Sequence, residues 1–318
     1  MIWMPYICLG IGIIIGLNKL PDNFLNNIDV IITTMLLVLM LTIGISVGAS
    51  ESVMSSLSQI GFNCFVISLF AMIFSIGFTV IVEKTILPLE KISKNMAVEK
   101  TDTEEEIELP EEEQEEKSPL LWLMPISIIL GVLIGYFIMP EDKIYILDYI
   151  LTFSLFILFV GAGISVGTNR KIFSYVLKLG FRIIVLSLAI LAGSIAGGVF
   201  AGLILKMPLN ITMMSAGGMS YYSLTGAFMT RMYGIELGTY GFIVNVMREF
   251  FTVLFLPLLI KISKGSPIAC SGAASMDTLF VPITKTVGSD LGLIVLITGS
   301  ILTFIVPILL PFIFNVFP

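Results

Sequence analysis

Long apolar runs alternate with short polar interruptions along nearly the whole chain. Eight runs, near 2–18, 28–49, 61–82, 120–139, 144–167, 179–205, 238–260 and 291–315, predict helices. Most reach the roughly 20 residues that cross a hydrocarbon core of about 30 Å. None alternates with the period of two that barrel strands need. Two stretches, 205–237 and 262–290, break the pattern with Gly, Pro, Ser and Thr. Irregular backbone at membrane depth is tolerated only where it lines buried protein or a watery cavity. The inner parts, 209–231 and 265–285, are therefore expected to enter and leave on one face each, the first from outside and the second from the cytoplasm. Their tips would then approach each other near the midplane.

The same pattern repeats at an offset of 119. Gly12, Gly16 and Pro21 match Gly131, Gly135 and Pro140; 44-GISVG-48 matches 163-GISVG-167; Gly61-Phe62 matches Gly180-Phe181; and Asp29 matches Asp148. No gap is needed. The unit is three helices, an odd number, so its second copy starts on the opposite side of the membrane. Such inverted repeats are common in secondary transporters. The expected fold class is an all-α polytopic membrane protein with about eight transmembrane helices, inverted three-helix repeats and two re-entrant broken segments. Its parts are residues 1–82, an acidic linker at 83–119, residues 120–205, and a site region at 206–318. Asp29 and Asp148 stand where helix N-caps are expected.

Composition agrees. The chain is 57% hydrophobic and 13% charged, whereas soluble domains are about one quarter charged. The net charge of −6 is local, since residues 83–117 hold 13 acids and only 5 lysines. Such a block reads as a solvated linker. Orientation follows Lys and Arg rather than net charge. With both termini outside, 13 basic residues lie on the cytoplasmic side and 3 outside. The first segment lacks a basic leader and a cleavage pattern, so it reads as a retained helix. Three cysteines without paired spacing and no His argue against a Cys/His metal site or a disulfide framework. No nucleic-acid partner is expected.

The polar chemistry concentrates between 209 and 288. Glu249 falls near the middle of the 238–260 run, about 14 Å from Tyr240 along a helix. An ionised carboxylate facing lipid there costs several kcal/mol, so it should face the bundle. Asn245 and Thr252 share its face, and Arg248 points about 100° away. An ion pair to Arg248 is the structural alternative. Asp277 lies in 272-GAASMDTLFVP-282, where a helix cap is the alternative reading. Pro282 and Gly272 should break any helix there. Tyr221, Tyr222, Ser223, Thr225, Ser215 and Ser275 offer hydroxyls either to a ligand or to the backbone of a broken segment. Gly217 and Gly218 supply permissive backbone. Glu51 and Glu236 read as solvated.

The runs 214-MSAGGMSYYSLTGAFMT-230, 245-NVMRE-249 and 272-GAASMD-277 resemble those of the lysine exporter family of bacterial inner-membrane proteins. The resemblance implies a cell-membrane carrier that exports L-lysine from the cytoplasm in exchange for protons. It implies no cofactor beyond the coupling ion, and it implies that transport depends on Glu249 and Asp277. Two carboxylates suit a ligand with two ammonium groups, and they suit protons because a low-dielectric surrounding favours the neutral acid. Asn245, Arg248, Tyr222, Ser223 and Ser275 complete the expected binding set. Other readings are export of another cationic amino acid, sodium coupling, a passive channel, or an intramembrane aspartyl protease. The last is disfavoured because no Gly-x-Gly-Asp motif is present. The oligomeric state is open, and a homodimer is compatible with the sequence.

Overall fold

The computed structural model describes residues 4–18, 21–89, 119–139, 144–168, 182–288 and 291–317. Most of the acidic linker therefore lies outside the described residues, as do the side chain of Asp29 and the matched residues Pro140 and Gly180. The described chain is helical, without strands. In order come α1 (Met4–Leu17), α2 (Asp22–Gly48), the short α3 (Glu51–Ser55), α4 (Leu57–Thr85), α5 (Pro119–Phe137), α6 (Ile144–Thr168) and α7 (Arg182–Leu205). Then follow α8 (Leu209–Gly217), α9 (Tyr222–Tyr233), α10 (Ile235–Ile262) and α11 (Gly265–Ser271). A 3₁₀ turn (Gly272–Met276), α12 (Phe280–Val287) and α13 (Gly292–Val316) complete the described chain.

The protein is an all-α polytopic membrane protein. Among the described residues, five helices are long and apolar enough to cross a membrane: Val30–Gly48 within α2, and α4, α7, α10 and α13. Apolar stretches of α1, α5 and α6 are shorter. Large apolar side chains such as Ile129, Phe153, Phe250 and Leu254 point outward, while small and hydroxylated residues such as Ser75, Ser194 and Ser215 lie inside. That arrangement suits a lipid surround, where helices associate through small residues and polar contacts.

The first six long helices pair in an exchanged way. Helix α1 packs on α6, α2 on α5, and α4 on α7. The glycines at the repeat positions make this close. A Cβ at Gly12 would lie 2.9 Å from the Gly163 Cα, and one at Gly131 would lie 2.9 Å from the Gly44 Cα. Gly16 meets Gly167, and Gly48 meets Val132. Contact 12–163 becomes 131–44 when each number is moved by 119 into the other unit. The packing thus carries the same exchange as the sequence.

Three boundaries differ from the sequence reading. Asp29 and Asp148 sit inside α2 and α6 rather than before them, so neither is an N-cap. For α2 the cap is Pro21, whose fixed φ suits a helix start. The linker also begins later than residue 83. Glu83 and Leu89 are buried, and the Gly265 N–H donates to Glu83 Oε2 at 3.3 Å. Glu51 and Glu236 are exposed.

Candidate substrate site

Each broken segment is two short helices joined by a tip that is not α-helical. In the first, α8 runs in and α9 runs back. Their far ends meet, because Asn210 Nδ2 donates to the Tyr233 hydroxyl at 3.2 Å. The segment is therefore a hairpin that leaves where it entered. At its tip Met219 and Ser220 adopt positive φ of 46° and 71°, a conformation that non-glycine residues hold only when surroundings enforce it. In the second, Gly272 ends α11 at φ 58°. Pro282 does not end a helix here. It lies in the first turn of α12, where its missing N–H costs nothing.

The two tips touch. The Ala273 N–H donates to Met219 O at 2.8 Å, and a Cβ at Gly272 would lie 2.6 Å from that same oxygen. Glycine at 272 is thus required both by its φ and by the approach of the other segment. Gly218 is equally confined, since a Cβ there would strike Thr225 Oγ1 and lie 2.5 Å from Asn245 Nδ2. Gly217 is not; the nearest atom to a Cβ there is a flexible Leu309 methyl at 3.2 Å.

Helix α10 passes beside both tips. Its fully buried stripe holds Asn245, Arg248 and Thr252, spaced by three and four residues on one face. Glu249, expected on that face, sits at its half-buried edge. There it accepts a hydrogen bond at 2.6 Å from Thr278 Oγ1. This contact carries Glu249 to the residue after Asp277. Asp277 is exposed. Tyr222 is half-buried and packs edge-on against Phe242 with ring centres 5.7 Å apart. Ser223 is buried on the next position of α9.

Three expected ligand groups are instead committed to the protein. Asn245 Oδ1 accepts from the Ser220 N–H at 2.7 Å, and Nδ2 donates to Ser215 O at 2.9 Å and Gly241 O at 2.7 Å. It staples the tip of the first segment. Arg248 donates from Nε to Cys270 O at 2.9 Å and from Nη2 to Ala269 O at 2.8 Å. It also donates from Nη1 to Ser194 Oγ at 2.6 Å and from Nη2 to Ser75 Oγ at 3.4 Å. All four partners are neutral, so Arg248 closes the end of α11 rather than pairing with Glu249. The Ser275 hydroxyl lies 2.7 Å from Gly272 O and 3.3 Å from Val295 O, backbone acceptors both. Thr225 and Ser215 likewise donate to Tyr221 O and Ile211 O. The sequence reading gave Asn245, Arg248 and Ser275 to a ligand, and left Thr225 and Ser215 between ligand and backbone, because it had no means of seeing how many backbone groups two broken helices orphan.

The helix ends around the tips are treated unequally. The C-terminal ends of α8 and α11 are closed by Asn245, Arg248 and Ser194, whose Oγ donates to Ala216 O at 2.7 Å. The N-terminal ends of α9 and α12 carry no side-chain cap. The C-terminal carbonyls are thus met by side chains, whereas at the start of α12 the Phe280 N–H donates to the Asp277 backbone carbonyl at 3.0 Å. Thr278, Ser75 and Ser194 escaped the sequence reading. The two serines carried a usable signal, since they too are separated by the repeat offset of 119.

Comparison with known proteins gives a consistent picture. The family described as "Lysine exporter LysO" matches residues 6–100 and 126–314. The chain is 29% identical over 160 residues to the lysine exporter LysO of Escherichia coli K12, covering 50% of this chain and 53% of that protein. It is 24% identical over 192 residues to a putative lysine exporter of Haemophilus influenzae, covering 60% of this chain and 96% of that one. The match thus spans about half the length of the first relative and nearly all of the second. No solved structure matches the chain.

Proposed function

This chain belongs to the lysine exporter family, and from that premise we propose that it exports L-lysine from the cytoplasm across the cell membrane by proton antiport. The observation that carries the reading is the Thr278–Glu249 hydrogen bond of 2.6 Å, which draws the acid of α10 to the acid of the second broken segment. Ionised Glu249 and Asp277 receive the two ammonium groups of the substrate. The first-turn N–H groups of α9 and the buried Ser220 hydroxyl, which has no partner of its own, receive its carboxylate. Tyr222 and Ser223 stand at the same helix start. Asn245, Arg248, Ser275, Gly218 and Gly272 build the site without touching the ligand.

Residues 1–82 and 120–205 act as inverted units with both termini outside the cell. They rock to expose the site first inward, then outward. Protons arriving from outside neutralise the acids, release lysine and reset the carrier. The exchanged packing of α1 on α6 and α2 on α5 supports this motion.

Proton flux in proteoliposomes on adding lysine, for wild type and Glu249→Gln, is the test. Lysine-driven proton movement in the wild type, lost in a correctly inserted Glu249→Gln, is expected. Unchanged lysine efflux in that variant sinks the assignment of Glu249. Flux driven by ornithine or arginine but not lysine changes the substrate, and lysine flux that follows sodium changes the coupling ion.

A further inference from the structure

We propose that Arg248 is a positioning residue: a pin on the axis relating the two three-helix units, joining both broken segments without touching the transported molecule. The proposal rests on the transporter reading above only for its kinetic consequence.

Two of its partners are repeat equivalents. Ser75 and Ser194 differ by the offset of 119 and lie on α4 and α7, the third helix of each unit. These helices pack on each other. When equivalent elements of two related units touch, the axis passes between them. A single group bonded to both equivalent hydroxyls, at 2.6 and 3.4 Å, therefore sits on or beside that axis.

The other partners extend the connection to both tips. Arg248 holds Ala269 O and Cys270 O at the end of α11. Ser194, while accepting from Arg248, donates onward to Ala216 O at the end of α8. An unbroken polar path thus runs from one broken segment through Arg248 and Ser194 to the other. Ser75 also reaches across the unit boundary, donating to Ile190 O at 3.1 Å. Only a planar guanidinium directs donors in three fixed directions at once; an ammonium is a point charge on a flexible stem. Its cation also meets the negative end of the α11 dipole. A contact on the axis moves least when the units rock, so Arg248 keeps its bonds while its neighbour Glu249 changes access.

Cys270 supplies a probe independent of lysine, because it is fully buried beside the pin. With Cys8 and Cys64 replaced by Ala, alkylation of Cys270 by N-ethylmaleimide is measured on native protein. Lysine KM and turnover are measured in proteoliposomes per folded molecule. Arg248→Lys and the Ser75→Ala/Ser194→Ala pair should each speed alkylation at least tenfold. Each should cut turnover at least tenfold with KM within twofold. Ser194→Ala added to Arg248→Lys should cost little more, since both cut the same path. Unchanged alkylation in both variants overturns the proposal. So does a tenfold rise in KM with turnover and alkylation intact, which marks Arg248 as a ligand group. Should the Arg248 variant fail to insert, the serine pair retains the cation and decides alone. If wild type moves no lysine, the functional reading fails while alkylation still judges the pin.

Discussion

Replacing Asn245 by Ala tests whether this buried amide builds the site or binds the ligand. Three hydrogen bonds are lost. The Gly241 carbonyl keeps its helical partner, but the Ser220 N–H and Ser215 carbonyl are left buried without one. Each orphaned group costs about 1–3 kcal/mol, so the two together set a ceiling of about 6 kcal/mol. Hydrogen bonds inside membrane proteins average nearer 0.6 kcal/mol because the unfolded chain in the membrane also finds partners. The tip adds to the loss, since Met219 and Ser220 hold positive φ only while something enforces it. A destabilisation of about 2–4 kcal/mol is therefore expected. Denaturant titration of the purified protein measures it, beside lysine KM at a temperature where the variant is folded. Asn245→Asp should be no milder, because it keeps the acceptor for Ser220 but points a carboxylate at two carbonyl oxygens. A loss below about 0.5 kcal/mol, the range of an unimportant surface change, together with a tenfold higher KM, would refute the reasoning and return Asn245 to the ligand set.

Gly272→Ala should cost about 3 kcal/mol or more, since it adds a strained left-handed residue to a Cβ 2.6 Å from Met219 O; thermal unfolding in detergent measures it, and a stable variant would show that the tips need not touch. Thr278→Val removes the donor to Glu249 and should raise lysine KM about three- to tenfold, corresponding to roughly 0.7–1.4 kcal/mol, with little change in unfolding; proteoliposome kinetics check this. Gly12→Leu and Gly131→Leu occupy exchanged contacts and should destabilise by similar amounts of at least about 1–3 kcal/mol; widely unequal losses would count against the two-fold relation of the units.

Periodicity and inventory determined a great deal of this protein on their own. Apolar runs of membrane length have one stable fate in lipid, which is a helix with its backbone bonds internal. The eight predicted helices accordingly appear, with their described ends within six residues of the expected ones. The offset of 119 implied equivalent units, because close glycine contacts on helices leave a fixed mark at i and i+4. Gly and Pro clusters marked both broken segments, because those residues cannot continue a helix silently. Glu249 and Asp277 stood out because a charge in a membrane needs a reason.

What the tertiary structure decided is which polar groups were already spent. Whether Asn245, Arg248 and Ser275 face a ligand or the backbone depends on carbonyls and N–H groups that come from other elements. Arg248 alone binds residues 54 and 173 positions away. No local pattern encodes such a contact, since hydrogen-bond reach is about 3 Å and the chain must fold before the atoms meet. The same holds for Thr278, an ordinary threonine until the approach of α10 places Glu249 beside it. Sequence thus pointed to where the proposed chemistry lies, and the packing of two broken helices against one intact helix decided which side chains remain available for it.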